Sequence, residues 1–129
     1  MLRKFWTHFN SWLKNLKYFE RNGIELILVL DTPDEEEELK NYLNEFPFLN
    51  SNVIANRTSH EWRNPSKALN VGVKAANRRY VFIASPETEF FTDVIYQLRY
   101  ILHYYPESFA IGQVCFLAFE TTPELKDLY

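Results

Sequence analysis

Two acidic residues each follow an aliphatic stretch of the chain. Asp31 comes directly after residues 24–30, and Glu87 comes three residues after residues 79–84. If both stretches are parallel strands, both carboxylates lie at the carboxyl edge of one sheet, where open α/β sheets bind their ligands. Asp31 can accept hydrogen bonds from a base or a ribose there. The amides of a helix beginning near Thr32 satisfy it equally well, and both interpretations stay open.

Lys67 and Asn70 lie one helical turn apart, near the start of a predicted helix over 66–77. The partial positive charge and the free amides at a helix start suit a diphosphate. Lys67 alone is a weak indication, because most lysines are simply solvated. Together with Asp31 and Glu87, these two residues predict a single cleft at the carboxyl edge of the sheet.

Glu87 is the candidate metal ligand. Mg²⁺ and Mn²⁺ are hard cations that bind carboxylate oxygens, and the oxygens of a diphosphate can complete their coordination shell. Ser85, two residues earlier, is at best a weak ligand, and Glu89 is a candidate second carboxylate. Alternatively, Pro86 begins a helix and Glu87 simply occupies its first turn.

The spacing of apolar residues predicts helices that alternate with strands. Amphipathic helices, with apolar residues three and four apart, are predicted over 5–19, 32–46, 66–77 and 88–105. Strands are predicted over 24–30, 52–56, 79–84 and 109–119. This alternation predicts an α/β fold, a three-layer sandwich with a mainly parallel sheet.

The length and composition restrict the class of protein. A chain of 129 residues predicts a single domain, 1–129, and 47% hydrophobic residues are enough for a core. The net charge of −3 argues against a nucleic-acid partner, because nucleic-acid binders carry a basic stripe. The single Cys115 predicts a buried thiol in a reducing compartment. Without a signal-peptide pattern or an apolar run of about 18–20 residues, the sequence predicts a cytoplasmic protein with no transmembrane segment.

The order of these features resembles the nucleotide-sugar half of family 2 glycosyltransferases with the GT-A fold, from about Gly23 to Leu102. The resemblance depends on Asp31 after its strand and on the helix motif Ala68-Leu69-Asn70-x-Gly72-x-x-x-Ala76. It depends further on Ser85-Pro86-Glu87, which stands in the place of that family's Asp-x-Asp motif. The small residues of the helix motif also predict that this helix packs closely against the sheet.

The resemblance implies a GT-A/Rossmann-like fold and glycosyl transfer from a nucleotide-diphosphate sugar to an acceptor. It implies that Asp31, Lys67, Asn70 and Arg63 bind the donor, with Arg63 pairing with phosphate from the loop before the helix. That loop is alternatively an ordinary surface loop. The implied cofactor is Mn²⁺ or Mg²⁺, bound weakly at Glu87 because one carboxylate stands where the family has two.

Two parts of the family's fold have no counterpart in the sequence, namely the strand before the first helix and the acceptor half. We therefore expect self-association, a partner chain or residues 109–119 to complete the sheet, because open edges invite pairing. The alternative function is a non-catalytic binding or assembly module that retains the fold. A response-regulator receiver domain also has an aspartate after an aliphatic strand, but the acidic pair and the lysine that it needs are missing.

Overall fold

The computed structural model of the protein describes residues 2–17, 23–31, 33–58 and 64–112. In chain order the elements are α1 (Leu2–Lys17), β1 (Glu25–Leu30), a 3-10 turn (Pro33–Glu35), α2 (Glu36–Leu43), β2 (Asn50–Ala55), α3 (Pro65–Ala75) and α4 (Val94–Tyr104). The described residues form a mixed α/β structure with four α-helices and a two-stranded parallel sheet, which confirms the predicted α/β class. None of these helices is long and apolar enough to cross a membrane.

The two strands pair in parallel and end side by side, with Leu30 of β1 opposite Ala55 of β2. A hydrogen bond of 2.8 Å from the amide of Asn56 to the carbonyl of Leu30 extends the ladder by one residue. β1 matches the predicted strand over 24–30. β2 begins two residues before the predicted 52–56, because backbone groups build the ladder and polar residues can take part in it.

Helices cover both faces of β1. Leu26 and Leu30 are buried in a core cluster with the fully buried Phe9 of α1 and with leucines of α2. Because alternate residues of a strand point to opposite faces, Val29 points away from this cluster. A Cβ atom on Gly72 would lie 3.3 Å from Cγ2 of Val29, so α3 approaches the other face closely at this glycine.

Side chains of α1 bind the backbone of the chain that leads into α4. Asn15, which is 3% exposed, donates through Nδ2 to the carbonyl of Thr92 at 3.1 Å. Its Oδ1 accepts from the amide of Ile95 at 3.3 Å. One turn away, Nε1 of Trp12 donates to the carbonyl of Thr88 at 2.7 Å. These bonds satisfy the carbonyls of Thr88 and Thr92, which belong to no regular element, and the amide of Ile95 in the first turn of α4.

The predicted strand over 79–84 is wrong, because these residues are irregular in the structure. A strand needs a neighbour to pair its backbone groups, and the sheet of the described residues contains only β1 and β2. Tyr80 of this segment instead donates through its hydroxyl to the carbonyl of Leu102 in α4, at 3.1 Å. Of the predicted strand over 109–119, residues 109–112 are irregular and the rest lies outside the described residues.

All four helices occur where the apolar spacing predicts them, but their ends differ from the prediction. α4 begins at Val94 rather than at 88, since α1 holds the backbone before it. α2 is shortened by the 3-10 turn that precedes it. α3 begins with a side-chain cap, in which Oδ1 of Asn64 accepts from the amide of Ser66 at 3.0 Å, and Pro65 occupies its first position.

Replacing Asn15 by alanine should destabilise the protein. The change leaves the Ile95 amide and the Thr92 carbonyl without these partners, so we expect a loss of about 2 kcal/mol in the free energy of unfolding. Asn10→Ala is the matched control, because Asn10 is exposed on the same helix. Both variants replace asparagine by alanine, so both gain the same helix propensity. Denaturant unfolding measures both variants. Equal losses in the two would contradict the role given to Asn15.

Candidate functional site

Asp31 lies beside Asn56 at the carboxyl edge of the sheet. The ladder ends with Leu30 opposite Ala55, and the amide of Asn56 binds the carbonyl of Leu30. The residues that follow the two strands, Asp31 and Asn56, are therefore neighbours, because paired strands run about 4.8 Å apart. The sequence reasoning missed Asn56, although it follows β2 as directly as Asp31 follows β1.

The side chain of Asn56 fixes the turn that follows β2. Its Oδ1 accepts from the amide of Thr58 at 3.1 Å and from the hydroxyl of the same residue at 2.7 Å. This is the geometry by which asparagine side chains organise turns. The carboxyl edge therefore carries an acidic and an amide side chain on backbone that is held in place.

The carboxylate of Glu36 in α2 also binds the chain after β2, through Arg57. Arg57 donates through Nη2 to Oε2 of Glu36, and Lys40 donates to Oε1 at 2.5 Å. The Glu36 side chain is only 11% exposed. The hydrogen bond from Lys40, with the charge of Arg57 in addition, lowers the pKa of Glu36 even though partial burial opposes this. Glu36 therefore joins the start of α2 to the chain after β2.

α3 runs antiparallel to β1, so its first turn lies near the strand's carboxyl end. Gly72 contacts Val29 near the end of the strand, whereas Asn77, just beyond the helix, donates its amide to Oε2 of Glu25 at 3.1 Å. Glu25 is the first residue of β1. The helix therefore begins at the edge that carries Asp31.

The first turn of α3 is level with Asp31. Lys67 precedes Gly72 by five residues, which is about 7.5 Å along a helix. Asp31 follows Val29 by two residues, which is about 6.6 Å along a strand. The start of α3 is therefore level with Asp31 along the strand, and exposed Lys67, rotated by about 140° from Gly72, lies on the outward side of this first turn. A shared cleft with Asp31 stays a prediction.

Asn70 lies on the outer face of α3. It precedes Gly72 by two residues, so it is rotated by about 160° from the face that contacts β1. Its side chain is exposed. The resemblance assigns Asn70 to the donor, and this role stays a prediction. Arg63, also assigned to the donor, lies outside the described residues.

Glu87 is held by α1, in the layer on the other face of β1. It is exposed in a turn with Pro86, and the next residue, Thr88, binds Trp12 of α1 through its carbonyl. The candidate second carboxylate, Glu89, lies 3.4 Å from Nδ1 of His8, also in α1. The helices that hold Lys67 and Glu87 therefore pack on opposite faces of the strand.

The described residues do not assemble a set of metal ligands at this place. No group of three or more histidine, cysteine, aspartate or glutamate side chains within 2–17, 23–31, 33–58 and 64–112 could hold an ion. Glu87 would need oxygens from another molecule to complete a coordination shell. We therefore derive no chemical step through Mn²⁺ or Mg²⁺.

Comparison of the chain with known proteins found no relative. No protein-family model, no curated protein and no solved structure matches the chain. A functional assignment therefore depends on the residues at the carboxyl edge and on the resemblance of their order along the chain.

Glu36→Gln should destabilise the protein at neutral pH and much less in acid. The folded-state pKa of Glu36 is lowered, so its charged form stabilises the fold above the ordinary glutamate pKa of about 4.3. This contribution is lost as the pH falls through the lowered folded-state value. Unfolding free energies of the wild type and of Glu36→Gln should therefore differ at pH 7 and converge at lower pH.

Glu37→Gln provides the control for this pH dependence. Glu37 is the next residue of α2 and is exposed. Its replacement should change stability little, since exposed charges contribute weakly. A difference between wild type and Glu36→Gln that does not narrow in acid would show that Glu36 acts through packing and not through its charge.

Proposed function

We propose that the chain is a glycosyltransferase-like domain that binds a nucleotide-diphosphate sugar at the carboxyl edge of its sheet. One observation supports this more than any other: Asp31 and Asn56 directly follow neighbouring parallel strands, and α3 begins at their level with Lys67 in its first turn. Edges of this kind bind nucleotides in open α/β sheets.

The residues of this edge divide between the two halves of such a donor. Asp31 accepts hydrogen bonds from the base or the ribose, beside the amide side chain of Asn56. Lys67 and the positive end of the α3 dipole bind the diphosphate, while the amides of Ser66 and Lys67 are already bound to Asn64. During transfer the acceptor hydroxyl gives its proton to a base and its oxygen attacks the anomeric carbon, the bond to the diphosphate breaks, and the leaving diphosphate gains negative charge. Cationic groups and dipoles that already point toward this charge stabilise the transition state.

The corresponding fold is a three-layer, mainly parallel sheet of the GT-A/Rossmann-like type. The parallel pair with helices on both faces supports this proposal.

The second candidate is a non-catalytic binding module that retains the fold. The place of the family's metal motif is occupied by Ser85-Pro86-Glu87, and Glu87 is held by α1 while Lys67 is held by α3. A domain that binds nucleotide without transferring sugar needs only the edge with Asp31 and the start of α3.

Asp31→Asn and Lys67→Gln should each weaken the binding of UDP- or GDP-sugars by about tenfold, because each removes one charge-assisted hydrogen bond. Lys74→Gln is the matched control, since Lys74 is exposed on the same helix but lies in its last turn. Isothermal calorimetry measures all three variants against the wild type. No affinity for either nucleotide, or equal losses for Lys67→Gln and Lys74→Gln, would contradict the proposed site.

A separate calorimetric experiment tests the metal that the resemblance implies. That implication predicts that Mn²⁺ or Mg²⁺ tightens nucleotide binding, that nucleotide tightens metal binding by the same factor, and that Glu87→Ala removes both effects. The fold should be unaffected, because Glu87 is exposed. Nucleotide binding that responds neither to metal nor to Glu87→Ala would leave a metal-free donor site.

A further inference from the structure

α3 leaves most of its apolar surface uncovered. None of its residues is buried, whereas each of the other three helices buries at least one side chain. Its apolar residues Leu69, Val71 and Val73 are 44%, 42% and 45% exposed. The stability of a short helix comes mainly from packing of its apolar face. The exposed apolar side chains of α3 therefore indicate a contact surface.

Leu69 and Val73 lie on the flank of α3 that points away from β2. They are rotated by about 60° and 100° from Gly72, which contacts β1, and Val71 is rotated by about 100° in the opposite direction. β1, α2 and β2 form a crossover between parallel strands, which is right-handed in about 98% of cases. With this hand, and with α3 antiparallel to β1 on the face opposite α2, Leu69 and Val73 extend past the edge of β1 that β2 does not occupy.

That edge of β1 is open among the described residues. Their sheet contains only β1 and β2, and no hydrogen bond between described residues reaches the backbone of β1 from its other side. The carbonyl of Leu30 points to β2, where it binds Asn56. Because backbone groups alternate along a strand, those of Glu25, Ile27 and Val29 point to the open edge. Three amides and three carbonyls therefore face outward there.

β1 lacks the features by which proteins protect an edge strand. Residues 26–30 are five consecutive aliphatic residues, without the lysine or proline that blocks pairing. Such a run is typical of a strand in the interior of a sheet. Ile27, Leu28 and Val29 stay partly accessible although helices cover both faces of the strand. β1 therefore has the sequence of an interior strand and the position of an edge strand.

We infer that β1 pairs antiparallel with β1 of a second copy of this chain, and that Leu69 and Val73 of both copies cover the joined strands. The occupant of this edge must offer a row of backbone groups and must be apolar on both faces, because helices lie on both sides of the sheet. β1 itself has both properties. Residues 26–30 and the two side chains of α3 are uncharged, so two copies meet there without repulsion. A twofold axis closes this contact after two copies.

The charges at the ends of β1 select the register of the pairing. Opposite residues of antiparallel strands share a face of the sheet, so the pairing is centred on a residue. Centring it on Ile27 places Glu25 opposite Val29 of the second copy, and all the outward amides and carbonyls then bind one another. Centring it on Leu28 places Glu25 opposite Asp31 of the second copy, where like charges repel. The pairing is therefore centred on Ile27.

The joined surface is small, so the dimer is reversible. β1 is about 20 Å long, and the strand together with α3 is about 20 Å deep, which gives about 400 Å² per copy. Stable complexes bury about 800 Å² per partner, and transient ones bury less. We therefore expect monomer and dimer to exchange, with a dissociation constant in the micromolar range.

This inference goes beyond the proposed function, since it concerns the open edge of β1 and not the carboxyl edge. In an antiparallel pair the carboxyl edges of the two copies lie at opposite ends of the joined sheet. Each copy keeps its own Asp31 and its own start of α3. Dimerisation and nucleotide binding can therefore fail independently in experiment.

Sedimentation equilibrium of the full chain over a range of concentrations is the first test. The wild type should shift from monomer to dimer as the concentration rises. Val73→Lys should weaken dimerisation by about tenfold or more, because the twofold axis brings two lysines together in the contact. Val71→Lys is the matched control, since Val71 is equally exposed on the same helix but on the opposite flank. It should dimerise as the wild type does, and thermal unfolding checks that both variants are folded.

Amide hydrogen exchange measured by NMR locates the contact. Protection of the Ile27 and Val29 amides should increase with protein concentration, whereas the Leu28 amide, which points to β2, should be protected at every concentration. A dimer without this protection would overturn the inference, as would equal losses for Val73→Lys and Val71→Lys. A chain that stays monomeric throughout would overturn it too, and would leave the edge to a partner of another kind.

Discussion

The structure depends on burying both faces of β1. A two-stranded parallel ladder is too small to be stable alone, so helices must cover it. Leu26 and Leu30 face α1 and α2, while Val29 faces α3 at a glycine. Each strand residue buried in this way fixes the position of a helix. The first turn of α3 lies near the carboxyl edge with Asp31 as a consequence, because Gly72 approaches Val29 and the helix runs antiparallel to the strand.

The side chains of α1 have a second structural role beyond the core. Ser11 accepts from the amide of Phe90 at 3.0 Å, one turn before Asn15 binds the backbone of Thr92 and Ile95. Backbone groups near a core must find partners, and here a helix supplies side chains where a sheet would supply another strand. The irregular chain before α4 is therefore held in place without a ladder, and Glu87 is held with it.

The sequence allowed the prediction of those features that depend on local pattern. The aliphatic run of β1 and the apolar spacing of the helices are properties of short segments, and both are confirmed. Residues 79–84 have an equally aliphatic pattern, but a strand also requires a neighbour, which no local pattern reveals. Asn56 was missed for a related reason, because its place beside Asp31 follows from the register of two strands.

Two helices begin at the carboxyl edge, and their charges decide where a diphosphate can bind. The first turn of α2 carries Glu36, Glu37 and Glu38, which occupy its positive end and would repel phosphate. Glu36 also neutralises Arg57, so this cation is engaged at the edge. The first turn of α3 has no acidic residue and carries Lys67. The phosphates of the proposed donor therefore belong over α3, and the nucleoside belongs over the strand ends.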